Sequence, residues 1–407
     1  MSGDLVRGEI AGYGGVAQVE VVSRSRPMQS LYRRPLPPAL VAFAAPEGRA
    51  LFDAARAEGG MEAFFPLIEQ FHTQADPAFC GLGTLVVALN ALGVDPGRLW
   101  KGPWRWFSEE MLDCCSPLER VRARGITLDE LACLARCNGA AATLSRATAD
   151  NVTAFRATLR AAARASADPV LIVSYDRSVL GQTGVGHFSP IGGYHEASDH
   201  ALVLDVARFK YPPHWVSVTA LHAAMQALDP ATGRPRGWVE LRRSPRPASL
   251  LYTARCVGDG GFASIREGLA LLREAVARAP TDSLPAALRS IFAVARDIPV
   301  IVEHGQLALS EHAAAAEALQ AALRETAVYR LVAEVAPPAW PAEAATLLAL
   351  ALPTELWDPL PESLRTAWLA VLDPRQLPAS VRAESEHVHG QLADLCALTA
   401  GSCERYG

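Results

Sequence analysis

The chain has 407 residues, half of them hydrophobic and a fifth charged, which suits a folded globular protein with room for two cores. A net charge of −5 gives no reason to expect nucleic acid or an anionic membrane surface as partner. No apolar run is long enough to cross a bilayer, the N-terminus lacks a signal core, and 8 cysteines at this length make no disulfide scaffold, so a cytosolic location is expected.

In chain order, 47–57 predicts a helix ending at Gly59-Gly60, and 81–92 a largely apolar helix closed by Gly93. Thr127 and Glu130 have capping-box spacing ahead of a helix that stops at Asn138-Gly139, and Asp150 is placed to cap a helix running to about 163. Strand signals follow at 170–175, 187–194 and 201–207, with turn residues from His195 to His200 joining the last two as an antiparallel hairpin. Further strands are expected at 238–241 and 250–253. Helices followed by a run of strands predict an α+β domain. Composition shifts at 257–261, a linker pattern. Beyond it, Ala-, Leu- and Glu-rich patterns at 265–279, 310–335 and 341–352 predict an all-α second domain.

The chemistry centres on Cys80, directly before the apolar helix. Unpaired backbone N–H groups and the helix dipole at that position favour thiolate. Gly81 and Gly83 permit close approach of a backbone or substrate. A lone cysteine is more simply a small buried hydrophobe. Gln74, six residues upstream, has an amide that can donate to an oxyanion alongside the Cys80 N–H. His187 opens one predicted strand, and Asp205 sits in the apolar run Leu202-Val203-Leu204-Asp205-Val206, a costly place for an unpaired charge. On a hairpin centred at 196–197 these two fall opposite each other, so a carboxylate would orient the imidazole. A core histidine and a strand-end cap are the plain alternatives for each alone. The order Gln, Cys, His, Asp favours joint catalytic use.

Longer motifs sharpen this reading. Among them are Glu69-Gln70-Phe71-His72-Thr73-Gln74, Pro77-Ala78-Phe79-Cys80-Gly81-Leu82 and Trp100-Lys101-Gly102-Pro103-Trp104-Arg105-Trp106-Phe107. Leu112-Asp113-Cys114-Cys115, Gly186-His187-Phe188-Ser189-Pro190 and Leu204-Asp205-Val206-Ala207-Arg208-Phe209-Lys210-Tyr211 continue the series. With these, the stretch from about 29 to 255 resembles the phytochelatin synthases, whose catalytic domain is papain-like. The resemblance implies a papain-like catalytic domain over 29–256; an N-terminal extension over 1–28 lies before the family's usual start, and composition gives a helical accessory domain over 262–407. The resemblance also implies Cys80 as nucleophile, His187 as general base and acid, Asp205 as its orienter and Gln74 as oxyanion donor. The reaction implied is transfer of a γ-Glu-Cys acyl group from glutathione to the amine of a second glutathione or of a growing phytochelatin. Net hydrolysis that releases glycine from glutathione or its S-conjugates shares the same acyl-enzyme. A passive thiol metal-binding protein is a third reading.

Arg208 and Lys210 follow Asp205 at alternating positions, expected on one face of a strand. The resemblance implies substrate recognition there, with Gly186 beside the histidine; a solvated basic face is the alternative. Cys133 and Cys137 lie four apart on a predicted helix, and Cys114-Cys115 is a vicinal pair; four thiols could hold Zn(II) or Cd(II), although the spacing is no zinc-finger pattern and buried or redox-sensitive thiols fit as well. The clustering does not suggest cross-links. No covalent cofactor is implied: Cd(II) or Zn(II) would act as glutathione thiolates, as part of the substrate. The expected partners are glutathione and its metal thiolates, with a homodimer allowed and neither nucleic acid nor membrane. The 100–107 segment is either a substrate wall or a core cover, Thr73 is regulatory or a plain loop hydroxyl, and His387 and His389 resemble a metal pair only superficially. After Cys256 only Cys396 and Cys403 remain, so a cysteine-based metal sensor in the second half is not expected.

Overall fold

The computed structural model describes residues 33–97, 99–114, 116–244, 251–256, 262–295, 300–304, 310–337 and 340–399. The expected N-terminal extension, the linker at 257–261 and Cys115 lie outside the described residues.

The strands are β1 (Val41–Ala42), β2 (Ala140–Arg146), β3 (Val170–Asp176), β4 (Gly186–His195), β5 (His200–Val203) and β6 (His214–Ser217). Next come β7 (Leu228–Asp229), β8 (Arg234–Pro235), β9 (Gly237–Arg243), β10 (Tyr252–Cys256) and β11 (Val300–His304). Seven of them form one sheet in the order β1-β6-β5-β4-β3-β9-β2, with every neighbouring pair antiparallel. The first-half helices are α1 (Pro46–Ala57), α2 (Phe64–Gln70), α3 (Cys80–Ala91), α4 (Leu118–Arg124), α5 (Leu128–Cys137), α6 (Val152–Ala163) and α7 (Val218–Gln226). The expected α+β class is what the chain adopts.

Strand β3 explains the layering. All seven of its residues are buried, because the period-two alternation sends Val170 and Ile172 to one side and Leu171, Val173 and Tyr175 to the other. Leu85 and Leu89 of α3 and Leu131 and Leu134 of α5 cover the first side. Phe155 and Leu159 of α6 and Leu221 and Met225 of α7 cover the second. A sheet buried on both faces needs apolar residues at successive positions, as the sequence 170–175 supplies.

The β4–β5 hairpin closes on His195↔His200, so its centre lies at 197–198 rather than 196–197. A bulge between Ile191 and Gly193 adds one residue to β4. Glycine is required there: a Cβ on Gly193 would lie 2.2 Å from the Met61 sulfur and 3.0 Å from the Gly60 carbonyl oxygen. Strand β5 stops at Val203, and Asp205 lies just past its end.

Local signals fare unevenly. The Thr127–Glu130 capping box forms at the start of α5. The cap of α6 is Asn151 rather than Asp150, whose carboxylate instead accepts from the Thr148 hydroxyl at 2.6 Å. The second half contains α8 (Phe262–Ala277), α9 (Leu284–Ala295), α10 (Ser310–Arg324), α11 (Ala327–Val335), α12 (Ala342–Ala351), α13 (Glu362–Val371) and α14 (Ala379–Thr399). The single pattern at 310–335 is thus two helices, divided where Thr326 accepts from the Tyr329 N–H and starts a new one. Strand β11 is the addition to an otherwise helical region, and it pairs with β10. Among the described residues, no helix is long and apolar enough to cross a membrane.

The apolar core does not stop at the expected linker. One cluster runs from Leu85 and Leu134 through Leu251 and Tyr252 to Leu347 and Trp357, and α14 packs against α5. Glu384 of α14, 4% exposed, accepts the backbone N–H groups of Leu251 and Tyr252 at 2.8 and 3.1 Å. Glu384→Ala leaves those buried donors unpaired, so urea denaturation should show a loss of about 1–3 kcal/mol.

Candidate active site

Cys80 is the first residue of α3, so its backbone N–H belongs to the unpaired first turn. It is a free cysteine and keeps part of its surface exposed. The two glycines behind it make room for protein rather than substrate. A Cβ on Gly81 would lie 2.5 Å from the Ile126 side chain, and one on Gly83 would lie 2.7 Å from a Glu109 carboxylate oxygen.

His187 stands near the start of β4, paired across the sheet with Tyr175, whose ring meets it edge-on at 5.7 Å. Asp205 is fully buried. Its Oδ1 lies 3.0 Å from His187 Nε2 and also accepts from the Ala207 N–H at 2.9 Å. Because an ionised carboxylate only accepts, the proton between them sits on Nε2, which leaves Nδ1 as the nitrogen available to a thiol.

Sequence reasoning missed the residue that makes this burial tolerable. Arg177, 3% exposed, donates Nη2 to Asp205 Oδ1 at 2.9 Å, and the same nitrogen lies 2.8 Å from Oδ2. Its other arm donates to Gln182 Oε1 at 2.9 Å, and Gln182 Nε2 lies 3.4 Å from His214 Nε2. His214 Nδ1 donates to the Pro212 carbonyl at 2.9 Å, so the chain of polar groups ends on backbone. The Arg177 guanidinium also lies over the Tyr211 ring at 5.1 Å. The available signal was Asp205 itself: a carboxylate in an apolar run demands a cation, and Arg177 directly follows an apolar strand.

The electrostatics follow from this pairing. Burial would push the Asp205 carboxyl up, but His187 and Arg177 outweigh it and hold it well below the usual carboxylate range. Burial, aided by the Arg177 cation, holds His187 down to about 4, and burial lowers His214 as well. Burial pushes the Cys80 thiol up, although a hydrogen bond with the Phe188 backbone and the Arg177 charge oppose it. The helix N-terminus and the burial of Cys80 thus act on its thiol in opposite directions. Arg177 offsets part of the Asp205 charge that would otherwise favour an imidazolium at His187.

Gln74 is buried, on a loop anchored by its own N–H to the Val206 carbonyl at 3.1 Å. Its Nε2 donates to the Asp76 and Pro77 carbonyls at 2.8 and 3.0 Å, and its Oε1 is buried with no hydrogen-bond partner. Its donors are thus engaged by its own loop. Arg208 and Lys210 are not on a strand: 208–210 form a turn closed by the Lys210 N–H on the Ala207 carbonyl at 2.7 Å, so the alternation argument fails there. Arg208 lies over the Phe71 ring at 5.0 Å and Lys210 toward Tyr211 at 6.0 Å. Gly186 is exposed, and a Cβ there would lie 3.0 Å from the buried Arg236 guanidinium.

The cysteine cluster departs from expectation. Cys114 and Cys137 form a disulfide and Cys133 is disulfide-bonded too, whereas the sequence suggested no cross-links. The cause is local: Cys133 and Cys137 share a face of α5, and Cys114 lies alongside, with Asn138 Nδ2 at 3.5 Å from its sulfur. Cys115 lies outside the described residues. No group of three or more His, Cys, Asp or Glu side chains that could hold a metal ion occurs among the described residues. Trp104 is 70% exposed while Phe107 is buried, so the 100–107 segment covers core with one residue and presents others to solvent. Thr73 is exposed, and His389 donates Nδ1 to the Ala351 carbonyl at 2.7 Å.

Arg177→Met should lower stability by about 3–5 kcal/mol, because it leaves Asp205 buried and uncompensated; denaturant melts of the two proteins measure this. Thiolate is the alkylated form, and its fraction rises with pH. Iodoacetamide labelling of Cys80 should therefore climb with an inflection above the ordinary thiol range. A rate already flat at neutral pH would show a resting ion pair instead.

A family model described as phytochelatin synthase matches residues 31–238. The chain is 49% identical over 261 residues to glutathione gamma-glutamylcysteinyltransferase 3 of Lotus japonicus, a match covering 64% of this chain and 52% of that protein. It is 47% identical to glutathione gamma-glutamylcysteinyltransferase 1 of Triticum aestivum, over 76% of this chain and 65% of the relative. The Schizosaccharomyces pombe glutathione gamma-glutamylcysteinyltransferase is 38% identical, over 80% of this chain and 75% of its own length. The chain thus spans about half the length of the Lotus relative and under two thirds of the Triticum one. By extent and identity of match, this chain belongs to the phytochelatin synthase family.

Proposed function

We propose that the chain is a γ-glutamylcysteine transpeptidase that builds phytochelatins from glutathione through an acyl-enzyme on Cys80. The observation that carries this reading is the buried pair of His187 and Asp205 at 3.0 Å, in a site whose free cysteine opens α3. The relatives named for glutathione and the γ-glutamylcysteinyl group supply the substrate.

The Cys80 proton passes to His187 Nδ1 as sulfur attacks the carbonyl carbon of the Cys–Gly amide. The Cys80 N–H, at the start of α3, faces the developing oxyanion. The tetrahedral species collapses, the C–N bond breaks, and the imidazolium proton leaves with the glycine amine. A second glutathione then attacks the thioester with its α-amine and gives its proton to His187. The new amide forms as the C–S bond breaks, and Cys80 recovers its proton. Splitting amide exchange this way replaces one difficult step with two easier ones.

Arg208, beside Phe71, and Lys210, whose amine lies against Gly184, are the cations we assign to substrate carboxylates. Cd(II) or Zn(II) enters as a glutathione thiolate, which blocks the substrate sulfur and leaves the amide to react. A cytosolic setting, where glutathione is abundant, completes the reading. Intact mass after mixing with glutathione should show a γ-Glu-Cys adduct, absent in Cys80→Ala. Adding Cd(II) should yield (γ-Glu-Cys)n-Gly products. Glycine release without such products would point to hydrolysis instead.

A further inference from the structure

The loop that carries Gln74 is held from two sides. On one side the Gln74 N–H meets the Val206 carbonyl, next to Asp205. On the other the Ala75 N–H donates to both oxygens of Glu109, at 2.9 and 3.2 Å. Glu109 is only 5% exposed, and a buried carboxylate persists only where its lone pairs are answered. Its remaining neighbour is His72, with Nε2 at 3.6 Å, on the same loop. Pairing with Glu109 raises the His72 ring above its ordinary value.

Glu109 is in turn fixed to the helix that presents Cys80. Gly83, one turn into α3, is the residue against which the carboxylate rests, and the same missing side chain admits Gln74, whose Cβ would lie 3.2 Å from an added Cβ. Farther along α3, Asn90 donates to the Phe107 carbonyl at 3.1 Å and accepts the Phe107 N–H at 3.2 Å. That clamp ties the 109–111 turn to the helix. The nucleophile, the Gln74 loop and Glu109 thus share one rigid frame.

We propose that Glu109 is a positioning residue for acyl transfer: its carboxylate, through the Ala75 N–H, holds the loop so that the Gln74 amide stays within reach of the oxyanion formed at Cys80. The inference rests on the acyl-transfer reading above. Gln74 must exchange its contacts with the Asp76 and Pro77 carbonyls for the oxyanion by side-chain rotation, and such a rotation delivers the amide accurately only from a fixed backbone.

The test is a double-mutant cycle on the rate of Cys80 acylation by glutathione, with hydrogen exchange beside it. Glu109→Ala should slow acylation about 10- to 100-fold, as misplacing one oxyanion donor does. In a Gln74→Ala background the same change should cost less than about threefold, since the group it positions is already gone. Glu109→Gln retains an oxygen for Ala75 and should stay within about threefold of the wild type. Exchange of amides 72–76 should speed up in Glu109→Ala, while those of α3 stay protected. Additive rate losses, unchanged loop exchange, or equal losses in the Gln and Ala variants would each overturn the proposal. A wild-type protein that forms no adduct would count against the acyl-transfer reading alone, and hydrogen exchange would still decide the role of Glu109.

Discussion

A carboxylate with no exposure to water is the constraint around which this molecule is arranged. Asp205 cannot be buried as an isolated charge, and Arg177 is the cation that answers it. Each partner then imposes order on its surroundings. Asp205 fixes the tautomer of His187 and the direction of the chain after β5, through the Ala207 N–H. Arg177 holds Gln182, which reaches His214, and Asp176 caps the short turn from which Arg177 projects by accepting the Ser178 N–H at 2.9 Å. Two charges buried together thereby fix a run of neutral groups around them.

The pairing also bears on the Cys80 thiol. An uncompensated aspartate behind a histidine would draw a proton onto the imidazole and leave the cysteine as thiolate. With Arg177 present the charge is already balanced, and desolvation governs both Cys80 and His187. The same dry surroundings strengthen any dipole directed into the site, that of the α3 N-terminus included.

Much of this was legible in the residues. The helix starting at Cys80, the capping box at Thr127 and the strands at 170–176 and 186–195 follow from patterns within a few residues of each other. The pairing of His187 with Asp205 was also foreseeable, although by a register that the bulge before Gly193 shifts by one residue. Features that depend on residues far apart were not. Arg177 is 28 positions from Asp205 in the chain, so the buried carboxylate calls for a cation without saying which one. Arg208 and Lys210 alternate like strand residues but lie on a turn, because pairing with β6 ends β5 at Val203. The disulfide joining Cys114 to Cys137 depends on α5 meeting a loop 23 residues away. Period and spacing reveal elements; they do not reveal which elements will touch.

Helix α5 has a second neighbour whose presence alters what the first half of the chain is. One side of α5 faces the sheet through β2, while α14, more than two hundred residues later, lies against it as well. The helix is a party wall: neither half owns it, and the apolar cluster passes through it without a seam. Although the family signature ends at residue 238, the apolar core that covers α5 extends well beyond that point. Any relative that lacks an equivalent of α14 must present α5 with a different apolar cover or a more polar outer face. The boundary of recognisable ancestry and the boundary of physical stability therefore fall at different places in this chain.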